Sequence, residues 1–278
     1  MREAKTASET PVKGRIDPRF HRLGLLIGES GVDALQKKTA VVFGLGGVGS
    51  WAAEALVRSG IGNITIVDND SVCVTNINRQ VQALSGVVGL PKAAVLMKRL
   101  LEINPLCAVR AFNQIFSKET APLFEIEKAD YVIDAIDSLG CKLDLIELTA
   151  QYAAEKTGPK LFSCMGMACK LDPTRIKTAD IWKTSGCPLA RLVRQGLKKR
   201  GFAGHFTAVY SDELRERADG VESVCGTSNC FCSDKSSEWC SSKKVINGSS
   251  VTVTAAAGMV LAGLVLQDVA ASLGQGDG

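Results

Sequence analysis

Residues 39–49 constrain the fold more than any other stretch of this chain. Thr39-Ala-Val-Val-Phe43 is a run of β-formers that stops at Gly44-Leu45-Gly46-Gly47-Val48-Gly49. Val48–Ser59 then carries apolar residues at helical spacing, closed by Gly60 and Gly62. Such a turn needs glycine because the backbone bends sharply and comes close to a phosphate, where a side chain would block the approach. The helix start then offers unpaired N–H groups and partial positive charge to the anion. Asn63-Ile-Thr-Ile-Val67 is a second strand, and Asp68 follows it at the distance where an acid accepts hydrogen bonds from ribose hydroxyls.

The alternation continues. A short helix is expected over Phe20–Leu35, a helix over Lys92–Glu102 after Pro91, and a strand over Cys107–Phe112. Ser117–Glu125 reads as a short helix, Tyr131–Asp134 as a strand, Leu139–Glu155 as a helix and Lys160–Cys164 as a strand. Strands alternating with helices imply an α/β fold, doubly wound, with a mainly parallel, Rossmann-like sheet covered on both faces. Beyond about Met165 the regularity fades into a C-terminal lobe. There we expect an amphipathic helix over Pro188–Arg200, a loop-like stretch over 211–250 and a closing helix over Val253–Leu273. With 278 residues, 46% of them hydrophobic, the chain suits one domain over 19–278. Residues 1–18 form a polar tail, 19–165 the nucleotide core and 166–278 the lobe.

The glycine loop says nucleotide without saying which one, since Gly44, Gly46 and Gly49 also fit the fingerprint of nicotinamide dehydrogenases. The residues after Asp68 separate the two. Asp68-Asn-Asp70 leads into Asn76-Ile-Asn-Arg79-Gln80 and then Lys92. A dehydrogenase has no use for cations beyond its ribose acid, whereas attack at the α-phosphorus of a triphosphate needs them. Arg79 offers a planar fork to phosphate oxygens, and Lys92 a mobile point charge near a helix start. The turn Asp134-Ala-Ile-Asp137 leaves the strand at the sheet edge where ligands sit. Asp137 is the candidate for holding Mg²⁺ on the triphosphate, and Asp134 is expected to cap the turn.

Charge and cysteines narrow the setting. A net charge of +4 permits a nucleic-acid partner but is too small for a protein that coats DNA. The first 18 residues have no apolar stretch of a secretory signal, so a reducing, cytoplasmic setting is expected, with free, buried or metal-bound thiols. Val251–Ala271 is apolar but interrupted, which favours a core helix over a membrane span. Cys225, Cys230, Cys232 and Cys240 form a C-x4-C-x-C-x7-C set that supplies enough thiolates for a structural zinc site, although no C-x2-C pair is present. Arg191, Arg194, Lys198, Lys199 and Arg200 give the helix near residue 190 a cationic face suited to phosphate backbones.

Taken together, the GxGGxG loop, the acid–x–acid pair, the N-x-x-R-Q box, the later lysine, the Ile103-Asn-Pro105 stop and the D-x-x-D turn resemble the ThiF/MoeB/ubiquitin-activating superfamily over residues 19–165. The resemblance implies that Gly44, Gly46, Gly47, Gly49, Asp68 and Asp70 hold ATP. It also implies that Asn76, Arg79 and Lys92 handle the phosphates, and that Asp137 lies by Mg²⁺ and the α-phosphate. Arg22 resembles the arginine that such homodimers insert into the partner's site. Gly46–Leu56, Val72–Asn76, Val132–Ser138, Lys170–Thr174 and Ala179–Ala190 are similar to the tRNA threonylcarbamoyladenosine dehydratases within that superfamily. Those enzymes use ATP to activate a threonine carboxylate beside the tRNA anticodon and close it into a ring. This resemblance brings in tRNA as substrate and a sulfur-transfer accessory protein as partner. The competing implication is an adenylyltransferase for a ubiquitin-like or sulfur-carrier protein. A non-enzymatic scaffold is disfavoured by the intact cations of the ATP motif.

Overall fold

The computed structural model describes residues 16–154, 158–216 and 247–274. Its frame is a seven-stranded sheet in the order β3-β2-β1-β4-β5-β7-β6. The strands are β1 (Thr39–Phe43), β2 (Asn63–Val67), β3 (Ala108–Phe112), β4 (Tyr131–Asp134), β5 (Lys160–Cys164), β6 (Ile176–Asp180) and β7 (Thr207–Ser211). Every neighbouring pair is parallel except β6 with β7. The sheet order reverses between β1 and β4, so the glycine loop after β1 and the turn after β4 open side by side, at the switch point where doubly wound sheets hold ligands. β1 and β4 are buried along most of their length, as strands covered on both faces must be.

The helices are α1 (His21–Gln36), α2 (Gly49–Arg58), α3 (Lys92–Ile103), α4 (Leu139–Ala154), α5 (Pro188–Lys199) and α6 (Val251–Gly274). One cluster on the sheet gathers Leu56, Val57 and Ala53 from α2, Leu96 and Leu100 from α3, and Leu261 and Val265 from α6. A second cluster lies under α4 and α5, built on Ile146, Ala190, Val193 and Leu197. α6 is long and apolar enough for a membrane span by length and composition. It packs instead as a core helix, with Val253, Ala257, Leu261, Val265 and Val269 buried. At Gly258 it comes so close to α2 that an added Cβ would sit 2.6 Å from the Val48 carbonyl.

Two expectations need correction. Ser117–Glu125 is not an α-helix but a turn leading into 3₁₀ segments at Ala121–Phe124 and Ile126–Lys128. Pro122 has no N–H to give to a helix ladder, and Glu125 turns left-handed at φ 52°. Beyond Met165 the chain is more regular than its pattern suggests, because β6 and β7 complete the sheet. Each is only five residues long, and β6 is an edge strand with no buried residue, so neither shows a period that stands alone. The four cysteines proposed for zinc lie outside the described residues, as does most of 211–250.

Candidate nucleotide site

Gly44 leaves β1 with φ 86°, and a Cβ there would lie 2.7 Å from the Ala135 carbonyl oxygen. Gly49, the first residue of α2, has even less room, since its Cβ would lie 1.8 Å from the Gly44 carbonyl oxygen. These two glycines are demanded by the protein's own packing, which presses the glycine loop against the turn after β4. Gly46 differs, because a Cβ there would meet nothing within 4 Å. The open side of the loop is therefore at Gly46, where a ligand phosphate can approach the backbone. Gly47 lies between Thr254 of α6 and the Arg79 side chain, with its Cβ position 3.0 Å from Thr254 Oγ1 and 3.1 Å from Arg79 Cγ.

The loop is held by side chains from three directions. Asp68 accepts the Leu45 N–H at 2.6 Å through one oxygen and the Asp70 N–H at 2.8 Å through the other. Gln82, which sequence reasoning missed, donates its amide to the Leu45 carbonyl at 2.9 Å. Ser50 Oγ donates to the Gly46 carbonyl at 2.7 Å. Burial holds the Asp68 carboxyl above the ordinary carboxylate range, the nearby Lys92 charge pulling the other way.

Lys92 departs from expectation. It is not a mobile charge but a buried one, with Nζ 2.8 Å from Asp70 and 3.8 Å from Asp68. Its own N–H also bonds the Asp70 carbonyl at 2.9 Å, so backbone and side chain lock the start of α3 to the end of β2. Asn76 is buried, and its Oδ1 accepts the Cys73 N–H at 3.0 Å, closing the 3₁₀ turn Val74–Asn76. An amide whose oxygen is so used still has its nitrogen to donate. The Arg79 guanidinium donates to the Thr75 carbonyl at 2.8 Å and to Asn78 Oδ1 at 3.0 Å, while the Arg79 carbonyl accepts the Trp51 indole N–H at 2.9 Å.

The turn after β4 completes the site. Asp134 caps it as expected, accepting the Ile136 N–H at 3.0 Å. Its other oxygen pairs with Lys142 at 2.6 Å, both side chains being fully buried. Asp137 is exposed at the tip of the turn. A single exposed carboxylate beside a phosphate-binding loop fits Mg²⁺, which takes few protein ligands and leaves the rest to phosphates and water. Among the described residues no three His, Cys, Asp or Glu side chains form a cage for a metal.

Arg22 is not brought to this site. It is exposed on α1, two residues after Phe20, whose ring packs 3.4 Å from the Cβ position of Gly60 beyond the C-terminal end of α2. The glycine loop is at the other end of that helix, about 15 Å away for ten residues. Cys164 is buried and its thiol is pushed up to about 12, chiefly by burial, so it stays protonated and unreactive near neutrality. Of the cations on α5, Arg194 is spent within the fold, donating to the Thr184 carbonyl at 2.9 Å. Arg200, just beyond the helix, pairs with Asp144 and Glu147. Arg191, Lys198 and Lys199 are exposed.

A switch-point glycine loop with an acid after β2, a buried lysine and an aspartate-bearing turn after β4 defines a class, and the chain belongs to the ThiF family, whose model matches residues 20–270. Among its relatives, the tRNA threonylcarbamoyladenosine dehydratase of Bacillus subtilis is 44% identical over 195 residues, which cover 70% of this chain and 75% of that protein. The crystal structure of Escherichia coli tRNA N6-threonylcarbamoyladenosine dehydratase in complex with ATP matches with a TM-score of 0.74 and 33% identity, over 93% of this chain and 96% of that one. The sulfur carrier protein adenylyltransferase of Thermus thermophilus is 38% identical over 122 residues, only 43% of this chain and 45% of that protein.

Proposed function

We propose that this chain is an ATP-dependent tRNA threonylcarbamoyladenosine dehydratase. The observation that carries the reading is the match, across nearly the whole of both chains, to an ATP-bound enzyme of that name. A carboxylate is a poor electrophile, so the threonine carboxylate first attacks the α-phosphorus of ATP and pyrophosphate leaves. The carbamoyl nitrogen of the same side chain then attacks the acyl adenylate. The carboxylate oxygen departs with AMP, a ring closes, and the nucleoside has lost the elements of water. Both reacting groups belong to one side chain, so catalysis is positioning and charge stabilisation and needs no protein nucleophile.

In this reading Gly44, Gly46, Gly47 and Gly49 cradle the phosphates, and Asp68 receives the ribose hydroxyls. Asp70 holds Lys92 in place, Asn76 donates a hydrogen bond to the phosphates, and Arg79 and Lys92 neutralise charge growing on the triphosphate. Asp137 holds Mg²⁺, which supplies further charge neutralisation at the phosphates. Arg22 is then supplied by the second subunit of a homodimer, beside the exposed Leu25 and Leu26 of the same helix. A tRNA substrate sets the work in the cytoplasm and leaves room for a sulfur-transfer accessory protein. Zinc on Cys225, Cys230, Cys232 and Cys240 is a separate proposal, which absence of the metal from protein purified without chelators would remove.

The test incubates the protein with ATP, Mg²⁺ and tRNA carrying the open modification, then digests the tRNA to nucleosides. Loss of one water from the modified adenosine is expected. An unchanged nucleoside, together with ATP–pyrophosphate exchange stimulated by a small carrier protein, would sink the reading in favour of the carrier adenylyltransferase, whose similarity covers less than half of this chain.

A further inference from the structure

The mechanism above makes no use of Lys142, yet among the described residues it is the one lysine or arginine with no exposure at all. Its Nζ lies 2.6 Å from Asp134 Oδ2, 3.0 Å from the Cys164 carbonyl oxygen and 3.4 Å from Ser163 Oγ. Ser163 also donates to the same Asp134 oxygen at 2.5 Å. Lys142, Asp134 and Ser163 have no solvent exposure. Lys142 therefore ties the C-terminal end of β4, whose exit turn borders the site, to the end of its neighbour β5.

The consequence runs through the turn after β4. Asp134 Oδ1 accepts the Ile136 N–H, and the Ala135 N–H bonds the Phe43 carbonyl at 2.8 Å. The Ala135 carbonyl oxygen lies against Gly44, and its Cβ lies 3.1 Å from the Cβ position of Gly49. The turn that carries Asp137 is thus fixed at its base by an ion pair and along its side by the glycine loop. A carboxylate buried without its cation must neutralise or pull the local structure apart. Without Lys142, Asp134 would lose its ion pair and its link to the Cys164 carbonyl, and would hold the Ile136 N–H less firmly.

We infer that Lys142 is a positioning residue: through Asp134 it sets the 135–137 turn so that Asp137 meets the metal on the triphosphate. The inference rests on the ATP-site reading above, and it predicts more than a loss of stability. Supporting residues behind a metal ligand change metal affinity by about 10–100-fold when removed. ATP without metal, held by the glycine loop and Asp68, should scarcely notice.

The test is calorimetric titration of ATP with and without Mg²⁺ into the wild type, Lys142→Met and the Asp134→Asn/Lys142→Met double variant. The double variant is included because it leaves no buried charge, and near-UV circular dichroism reports whether it is folded. The expected result is a folded double variant whose ATP affinity without metal is unchanged, and whose gain in affinity on adding Mg²⁺ falls by about tenfold or more. A folded double variant with the full wild-type gain overturns the inference. Failure of the double variant to fold also overturns it, reducing the cluster to a stability element. No tRNA enters the titration. A wild type that binds Mg²⁺ and ATP but leaves the modified tRNA unchanged would sink the dehydratase reading and leave this one standing.

Discussion

Gly46 and Gly49 are three residues apart and answer to different demands. At Gly49 the neighbour is the protein's own Gly44 carbonyl, so Gly49→Ala should cost about 3 kcal/mol or more of stability. At Gly46 there is open space, so Gly46→Ala should leave the melting temperature unchanged while weakening ATP binding by about tenfold or more. Equal thermal shifts in the two variants would refute the division. Asp68 adds a pH signature. Its carboxyl is held above the ordinary range by burial, so it takes up a proton at a higher pH than the same residue in the unfolded chain. With Asp68 as the proposed ribose acid, acidification through that elevated value should remove its acceptor and weaken ATP binding. For stability the sign is opposite, because protonation relieves the burial penalty and the native state gains relative to the unfolded one. ATP titrations across pH on wild type and Asp68→Asn should differ in slope above the ordinary carboxylate range. Parallel curves would count against Asp68 as the ribose acid.

Among the elements, α2 carries the nucleotide loop at its start and is fastened at its middle. Glu54, buried on that helix, accepts from Arg99 of α3 at 2.6 Å and from Arg58 at 2.8 Å. Burial works against ionisation of Glu54, but the two arginines outweigh it and hold its carboxyl below the usual range. The stability this provides is present above the unfolded carboxylate range and is lost as pH falls through the depressed folded value. Glu54→Gln should cost about 1–3 kcal/mol near neutrality. Its deficit should narrow on acidification, as melting curves across pH would reveal. The α5 helix illustrates how packing sorts a charge run. Its sequence suggests five equivalent cations, yet Arg194 and Arg200 are engaged with carbonyls and carboxylates of the protein, while Arg191, Lys198 and Lys199 are exposed. Charge reversal at Arg191 and Lys199 should weaken tRNA binding by about tenfold and flatten its salt dependence, with ATP affinity unchanged. Unaltered tRNA affinity would remove α5 from the interface.

For the molecule as a whole, the position of Arg22 carries the strongest consequence. It sits toward the far end of α2 from its own glycine loop, so a role in ATP chemistry requires a second copy of the chain. Mixing inactive Arg22→Ala and Arg79→Ala proteins should then restore about a quarter of the wild-type activity, because random dimers rebuild one of four sites. Activity no greater than the separate variants, with subunit exchange verified, would sink the arrangement.

The glycine loop, the placing of Asp68 and Asp70 just after β2, and five of the strands were legible in the residues alone, because backbone turns and buried parallel strands write local signals: glycine where space is short, β-formers in unbroken runs. Lys142 left a fainter trace. It falls on the same helical face as Leu145, Ile146 and Thr149, all buried, a spacing that points it inward but does not single it out or name its partner. What the sequence by itself determined was therefore the class of ligand and the frame that holds it. Only the tertiary structure decided which charges are spent on the protein and which are left for a ligand. Lys92, Arg194 and Lys142 look alike as letters, and their roles depend on which carboxylates and carbonyls distant segments bring within about 3 Å. The same holds for β6 and β7, whose pairing is made across the sheet and not within their own five residues.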